Sequence, residues 1–244
     1  MIRRTLTALA SAAALIALSA PAHAAPVIYF GENQNPANQV SGAPLTARTS
    51  FLSQLVGVGT ETFSGFNVGD TSPLTLTFTG STGNIQADLN GVGQVFGPGP
   101  IGVGRFNTSG AEGGPVGGNW WDSEGRFTID FDVAISAFGF YGTDIGDFNG
   151  QVTVALTDIN DVVTNLVINN TVNGNNGSLL FWGFIDTMNS YKRITFGNTA
   201  AGSDFFGFDD MTIGDRQQIR VPEPATLALV GLSLLGLGAV RRRS

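Results

Sequence analysis

The side chains able to do chemistry in this sequence are carboxylates, amides, hydroxyls and a few large aromatics. Its one histidine is His23, near the N-terminus, and cysteine is absent. Because residues 1–24 read as a removable leader, the remaining chain offers neither imidazole nor thiol. That excludes Ser-His-Asp catalysis, a cysteine nucleophile, and every zinc, haem or iron–sulfur site built on His or Cys. Any metal must be hard and oxygen-bound.

The carboxylates fall into three groups. Asp209 and Asp210 are adjacent in a strand-like run. Successive side chains on a strand face opposite sides, so one of these carboxylates points toward the core or a strand edge unless a bulge intervenes, and it needs a partner there. A structural calcium ion or a capped loop backbone would satisfy it. Asp144 and Asp147, with Asn149, place three oxygen ligands in one turn but lack EF-hand spacing and a closing glutamate, which leaves calcium or an ordinary Asx turn. Asp130 and Asp132 share the polar face of a strand with Arg126 and Thr128; glycoside hydrolysis needs two acids across a cleft, so an exposed strand face is the default reading. Among the aromatics, neighbouring Trp120 and Trp121 face opposite sides of any strand, which makes one of them a candidate sugar-stacking surface, with Tyr141 and Tyr191 as further candidates. Trp182 sits in an apolar run and reads as core.

The elements that must position these groups are strands. Glycine, 34 of 244 residues, is about twice its usual share, and the 13% charged residues are about half theirs, a profile of short strands and tight turns that argues against a helical bundle. Alternating runs recur at Leu74–Thr79, Arg126–Val133, Ser136–Tyr141, Gln151–Leu156, Val162–Ile168, Leu179–Ile185, Arg193–Phe196 and Phe206–Ile213. Gly80–Gly83 and Asp158–Asp161 read as hairpin turns. Leu45, Arg48, Phe51, Leu52 and Leu55, after Pro44, have the spacing of a short amphipathic helix capping one end of a sandwich. Gly91–Gly118 reads as a long loop or broken strand pair.

The ends of the chain carry addresses. Arg3 and Arg4, an apolar run from Leu6 to Ala20, and Ala22-His23-Ala24 have the order of a secretory signal peptide cleaved between Ala24 and Ala25. At the other end, Val221-Pro222-Glu223-Pro224 precedes sixteen uncharged residues, 225–240, and then Arg241-Arg242-Arg243. As a helix that run reaches ~24 Å, enough to span a bilayer when the flanking arginines snorkel. The basic cluster stays cytoplasmic, which puts the domain on the far side of the membrane. Between the ends, residues 25–220 hold eighteen acids and seven bases, a charge of -11 that repels nucleic acid.

The tail resembles the PEP-CTERM sorting signal of exported proteins in Gram-negative bacteria that make exopolysaccharide. The resemblance implies that exosortase, a membrane protease-transpeptidase, recognises Val221, Pro222, Glu223 and Pro224, with the helix and Arg241, Arg242 and Arg243 holding the motif at the membrane. The middle is similar to PEP-CTERM passenger domains in its order of segments: Ala47-Arg48 and Phe51-Leu52, Glu61 to Phe66, Ala137 to Phe140, Phe181 to Asp186, and Phe206 to Ile213. That last segment also resembles the closing strand of jelly-roll, galactose-binding-like carbohydrate modules, which implies Asp209 or Asp210 as a calcium ligand.

The expected fold is therefore all-β: a jelly-roll-like β-sandwich with one short helix, flanked by an N-terminal signal helix and a C-terminal transmembrane helix. The expected divisions are a signal peptide (1–24), the sandwich (25–215), a linker (216–220) and the sorting signal (221–244). The expected protein is a non-enzymatic component of the cell envelope or exopolysaccharide matrix, anchored in the inner membrane before processing, and a calcium-stabilised glycan binder through Asp144, Asp147, Asp209, Asp210, Trp120 and Trp121. A carboxylate-based polysaccharide hydrolase or lyase, and a self-associating matrix protein, are the alternatives.

Overall fold

The computed structural model describes residues 25–100, 104–108, 118–200 and 204–220. Ala24, the motif Val221–Pro224, the apolar run 225–240 and Arg241–Arg243 lie outside the described residues. Among those described, no helix is long and apolar enough to cross a membrane.

Thirteen strands form two antiparallel sheets packed as a β-sandwich. In the six-stranded sheet the order is β10 (Val163–Val167), β9 (Val152–Asp158), β12 (Tyr191–Asn198), β7 (Phe127–Ile135), β4 (Asn84–Gly91) and β3 (Leu74–Thr79). In the seven-stranded sheet it is β1 (Val27–Asn33), β11 (Leu179–Ile185), β8 (Ala137–Thr143), β13 (Phe206–Gly214), β6 (Trp120–Ser123) and β5 (Gln94–Phe96), with β2 (Thr60–Glu61) also on β13. The run Leu74-Thr-Leu-Thr-Phe-Thr79 shows why such segments fold this way: Leu74, Leu76 and Phe78 are buried while Thr75, Thr77 and Thr79 face water, the period of two that a half-buried strand imposes.

The inner faces meet in an aromatic core. Phe127 stacks on Phe196 at 4.4 Å, and Phe138, Phe140 and Phe208 pack around them. A second apolar layer lies on the outer face of the seven-stranded sheet. There Tyr141, Leu179, Phe181 and Ile185 are covered by helix α1 (Ala43–Ser53), by Phe106 and by Ile219. Strands β8, β11 and β13 are thus buried on both faces, and they read as continuous apolar runs.

Two placements differ from expectation. Helix α1 lies flat on the seven-stranded sheet, against β1, β11 and β8, instead of capping the end of the sandwich. Missing side chains permit this approach: a Cβ on Gly31 would sit 2.2 Å from the Ala43 carbonyl oxygen, and one on Gly139 would sit 3.0 Å from the Phe51 ring. Residues 216–220, expected as a linker, are seated on the domain. Asp215 caps a 3₁₀ turn at Arg216–Gln218, Ile219 pairs with Leu55, and Gln218 Nε2 donates to the Gly57 and Thr79 carbonyls at 2.7 and 3.0 Å. The short apolar side chain of Ile219 and the backbone donors of this segment find partners there that a free linker would lack.

Candidate functional site

Among the described residues, the outer face of the six-stranded sheet has no covering layer like that on the other sheet, and its side chains follow from the register. One row across the strands runs Thr75, Asp88, Asp130, Arg193 and Thr157; the next runs Asn90, Thr128, Thr195, Ala155 and Asn165. A third row begins with Gly197 opposite Thr153. The second and third rows have a floor of small side chains, and they form a groove of about 640 Å³ bordered by Asn90, Thr128, Thr153, Thr195, Asn198 and Arg126. Gly197 keeps the floor low, since a Cβ there would stand 2.9 Å from Thr153 Oγ1.

The side chains of this groove that can hydrogen-bond are neutral, apart from Arg126. Asn198 lies at its border, but its side chain stands on the inner side of the sheet: it is directly opposite the core residue Val152, has the strand parity of Ile194 and Phe196, and keeps both polar atoms buried. Arg126 is exposed, and no ion pair forms on it among the described residues. The neighbouring charges are tied up: Arg193 pairs with Asp130 at 2.5 Å, Lys192 with Asp161 at 2.8 Å, and Asp88 accepts from Thr75 Oγ1 at 3.0 Å. Asp132 accepts from the Gln86 amide at 2.9 Å. Asp130 and Asp132 therefore lie on one exposed strand and do not face each other across a cleft.

The remaining sequence candidates are buried elsewhere. Trp120 and Trp121 are both 0% exposed, which overturns their sugar-stacking role. Both sides of β6 are covered: Trp120 stacks on Phe96 at 5.4 Å and donates to the Gly97 carbonyl at 3.0 Å, while Trp121 packs on Phe63. Tyr141 and Tyr191 are buried as well, the latter donating to Asp186 at 2.6 Å; Trp182 is core, as expected.

Asp209 and Asp210 are both buried because the register shifts between Asp209 and Thr212 and Asp210 adopts a φ of 49°. The bulge turns both carboxylates toward Thr108. The Thr108 amide and hydroxyl donate to Asp209 Oδ2 at 2.7 and 3.1 Å, and the hydroxyl also reaches Asp210 Oδ2 at 3.2 Å.

A separate acidic group lies at one end of the seven-stranded sheet. Arg105 Nε sits 2.9 Å from Asp122 Oδ1, its Nη1 lies 3.9 Å from Asp144 Oδ2, and Gly177 N donates to Asp144 Oδ1 at 2.6 Å. Burial pushes the Asp122 carboxyl up to about 6 against the pull of Arg105, with added repulsion from Asp144. Burial also pushes Asp144 up to about 6, opposed by the Gly177 amide and aided by Asp147 and Asp204. Asp147 is raised by burial and by Asp204. Asp144 and Asp147 thus occupy a different place from Asp209 and Asp210. At neither place do three acidic side chains converge on one point among the described residues.

The groove residues Asn90, Thr153 and Thr195 were not singled out by the sequence. Strands β7, β9 and β12 were legible in it, but β4 and the strand adjacency that makes these residues one surface were not.

No curated protein matches the chain. Among solved structures it is similar to the K2 cleaved adhesin domain of Lys-gingipain, with 16% identity and a TM-score of 0.39 over 64% of this chain and 98% of that one. It is also similar to the CBM22-1 xylan-binding domain from Paenibacillus barcinonensis Xyn10C (10% identity, TM-score 0.31, 67% and 94% covered). A third is TmCBM61 in complex with β-1,4-galactotriose (10%, 0.21, 43% and 72%). The PEP-CTERM protein-sorting motif matches residues 220–243, the segment holding Pro222-Glu223-Pro224, the apolar run and the arginines. The chain thus carries at its tail the PEP-CTERM protein-sorting motif, the recognition signal for exosortase on exported precursors.

Proposed function

We propose that this protein is a non-enzymatic glycan-binding component of the cell envelope or exopolysaccharide matrix, with its ligand seat on the outer face of the six-stranded sheet. The observation that carries this reading is the groove over β4, β7, β12 and β9, where the Asn90 amide and the Thr128, Thr153 and Thr195 hydroxyls surround a low floor. Sugars present closely spaced hydroxyls that donate and accept, and side chains fixed on rigid strands meet them without large ordering costs. The sorting tail supports the reading by sending the domain to where extracellular glycans are.

Carboxylate catalysis finds less support. Asp130 is committed to Arg193, and Asp132 lies on the same strand face as Asp130 instead of across from it. Calcium has no part in this reading.

The test is affinity electrophoresis of the full chain in detergent through gels containing the producing cell's own exopolysaccharide. The full chain is retarded, and the double variant Thr128→Val, Thr195→Val runs as it does in an empty gel. Equal mobility of the unaltered chain with and without polysaccharide would contradict the reading.

A further inference from the structure

We infer that the ligand is an uncharged polysaccharide laid across the strands, an inference that rests on the groove being a glycan seat. The groove-lining side chains that can hydrogen-bond from the open face are Asn90, Thr128, Thr153 and Thr195, all neutral, plus one cation, Arg126. They come from four adjacent strands, β4, β7, β12 and β9, so the seat spans three strand spacings, about 14 Å, the reach of a short run of sugar rings.

The charges around the groove disfavour a polyanion. Residues 25–220 carry -11, from eighteen acids against seven bases. On the same face Asp88 and Asp130 stand directly opposite each other on neighbouring strands, and Asp132 follows two residues on. Two nearby bases, Arg193 and Lys192, are spent on Asp130 and Asp161. Arg126 alone remains, exposed, where one ion pair is worth about 0–1 kcal/mol, too little to hold a repeating anion against a field of the same sign. A neutral chain meets no such opposition, and Arg126 then serves as a hydrogen-bond donor.

The aromatic rings beside the groove lead to a second consequence. Phe127 and Phe196 are 2% and 3% exposed, their rings turned into the core, so no flat ring is offered for stacking at this seat. Affinity comes from hydrogen bonds to hydroxyls, is modest at one seat, and grows with the number of seats engaged along one polymer.

Calorimetric titration of the full chain in detergent tests this with three uronate polymers (polygalacturonate, polymannuronate and polyglucuronate), each beside its carboxyl-reduced counterpart. The pairs share linkage and differ only in charge. At least one reduced polymer binds about tenfold more tightly than its uronate parent, and Thr195→Val weakens that binding by about the same factor with an unchanged melting temperature. Added salt improves uronate binding and leaves reduced-polymer binding unchanged, because screening acts only on the charged ligand. Tighter binding to a uronate, lost in Arg126→Gln, would overturn the uncharged ligand while leaving the glycan seat standing. Heat-silent titrations with all six polymers, together with no retardation by the producing cell's exopolysaccharide, would overturn both.

Discussion

The two outer faces of this sandwich are made from the same kind of strand and end in opposite states. On the seven-stranded sheet, Tyr141, Leu179, Phe181 and Ile185 are sealed beneath α1, Phe106 and Ile219. On the six-stranded sheet, the equivalent positions hold Thr128, Thr153, Thr195, Asn90 and Asp130, and they remain at least partly open to water. Solubility alone explains polar side chains on an uncovered face. It does not explain why the stretch around Thr195 and Gly197 is neutral and low-floored while charges gather one row away. That local difference separates a face that is merely wet from one shaped for a ligand.

Truncating the covered face has the largest effect. Phe51 is fully buried, with ring centroids of Tyr29 and Phe181 at 5.7 and 5.6 Å, so Phe51→Ala loses about 3–5 kcal/mol in denaturant unfolding. Glycan affinity of the folded fraction is unchanged, because no contact of Phe51 reaches the groove. A parallel loss of affinity would break the separation of the two faces.

A smaller effect is a reversed response to pH. Asp122 and Asp144 are held near 6 in the folded protein, above their ordinary 3.8, so the folded state binds protons more tightly than the unfolded chain. Their contribution to stability is fully present below about 4 and is lost as pH rises through about 6. Stability, and with it the melting temperature, therefore rises on acidification from about pH 7.5 to about pH 5, the stability by an amount on the order of 1 kcal/mol per site. Asp122→Asn flattens the slope. Asp186 has the opposite sign: burial would raise it, but donation from the Tyr191 hydroxyl, the Asn189 side chain and the Asn189 and Met188 amides outweighs burial and lowers it. Its stabilisation is lost as pH falls below the ordinary carboxylate range, which sets the acid limit of the rise.

Thr195→Val has the smallest effect on stability, within about 0.5 kcal/mol, since its side chain stands on the open face of β12 and valine keeps its shape. A loss much larger than that, read from thermal melts, would assign Thr195 to the fold and take it out of the binding account.

The same contrast explains what could be read in the sequence. Leu74–Thr79 and Leu179–Ile185 were bounded correctly because one alternates cleanly and the other is a continuous apolar run between turn residues. Strand β1 was missed: Tyr29 and Gly31 face α1, and a glycine that makes room for a helix carries no apolar signal. Strand β4 was missed because Asn84, Gln86, Asp88 and Asn90 outnumber its apolar positions. The burial of Trp120 and Trp121 on both sides of β6 depends on Phe96 and Phe63, distant in sequence, and local pattern is silent on that. The bulge that buries both Asp209 and Asp210 also depends on a remote partner, Thr108. The groove is a property of adjacency between β4, β7, β12 and β9, and only the sorting tail, whose parts are consecutive, was fully legible in the chain.

The most direct test of the glycan seat is amide hydrogen exchange of the full chain in detergent, with and without a bound polysaccharide. The account predicts slowed exchange in peptides covering residues 90–91, 126–128, 153–155 and 195–198, and no change over residues 43–53 or 104–108. Slowed exchange confined to α1 and the covered sheet, with residues 195–198 unaltered, would contradict it.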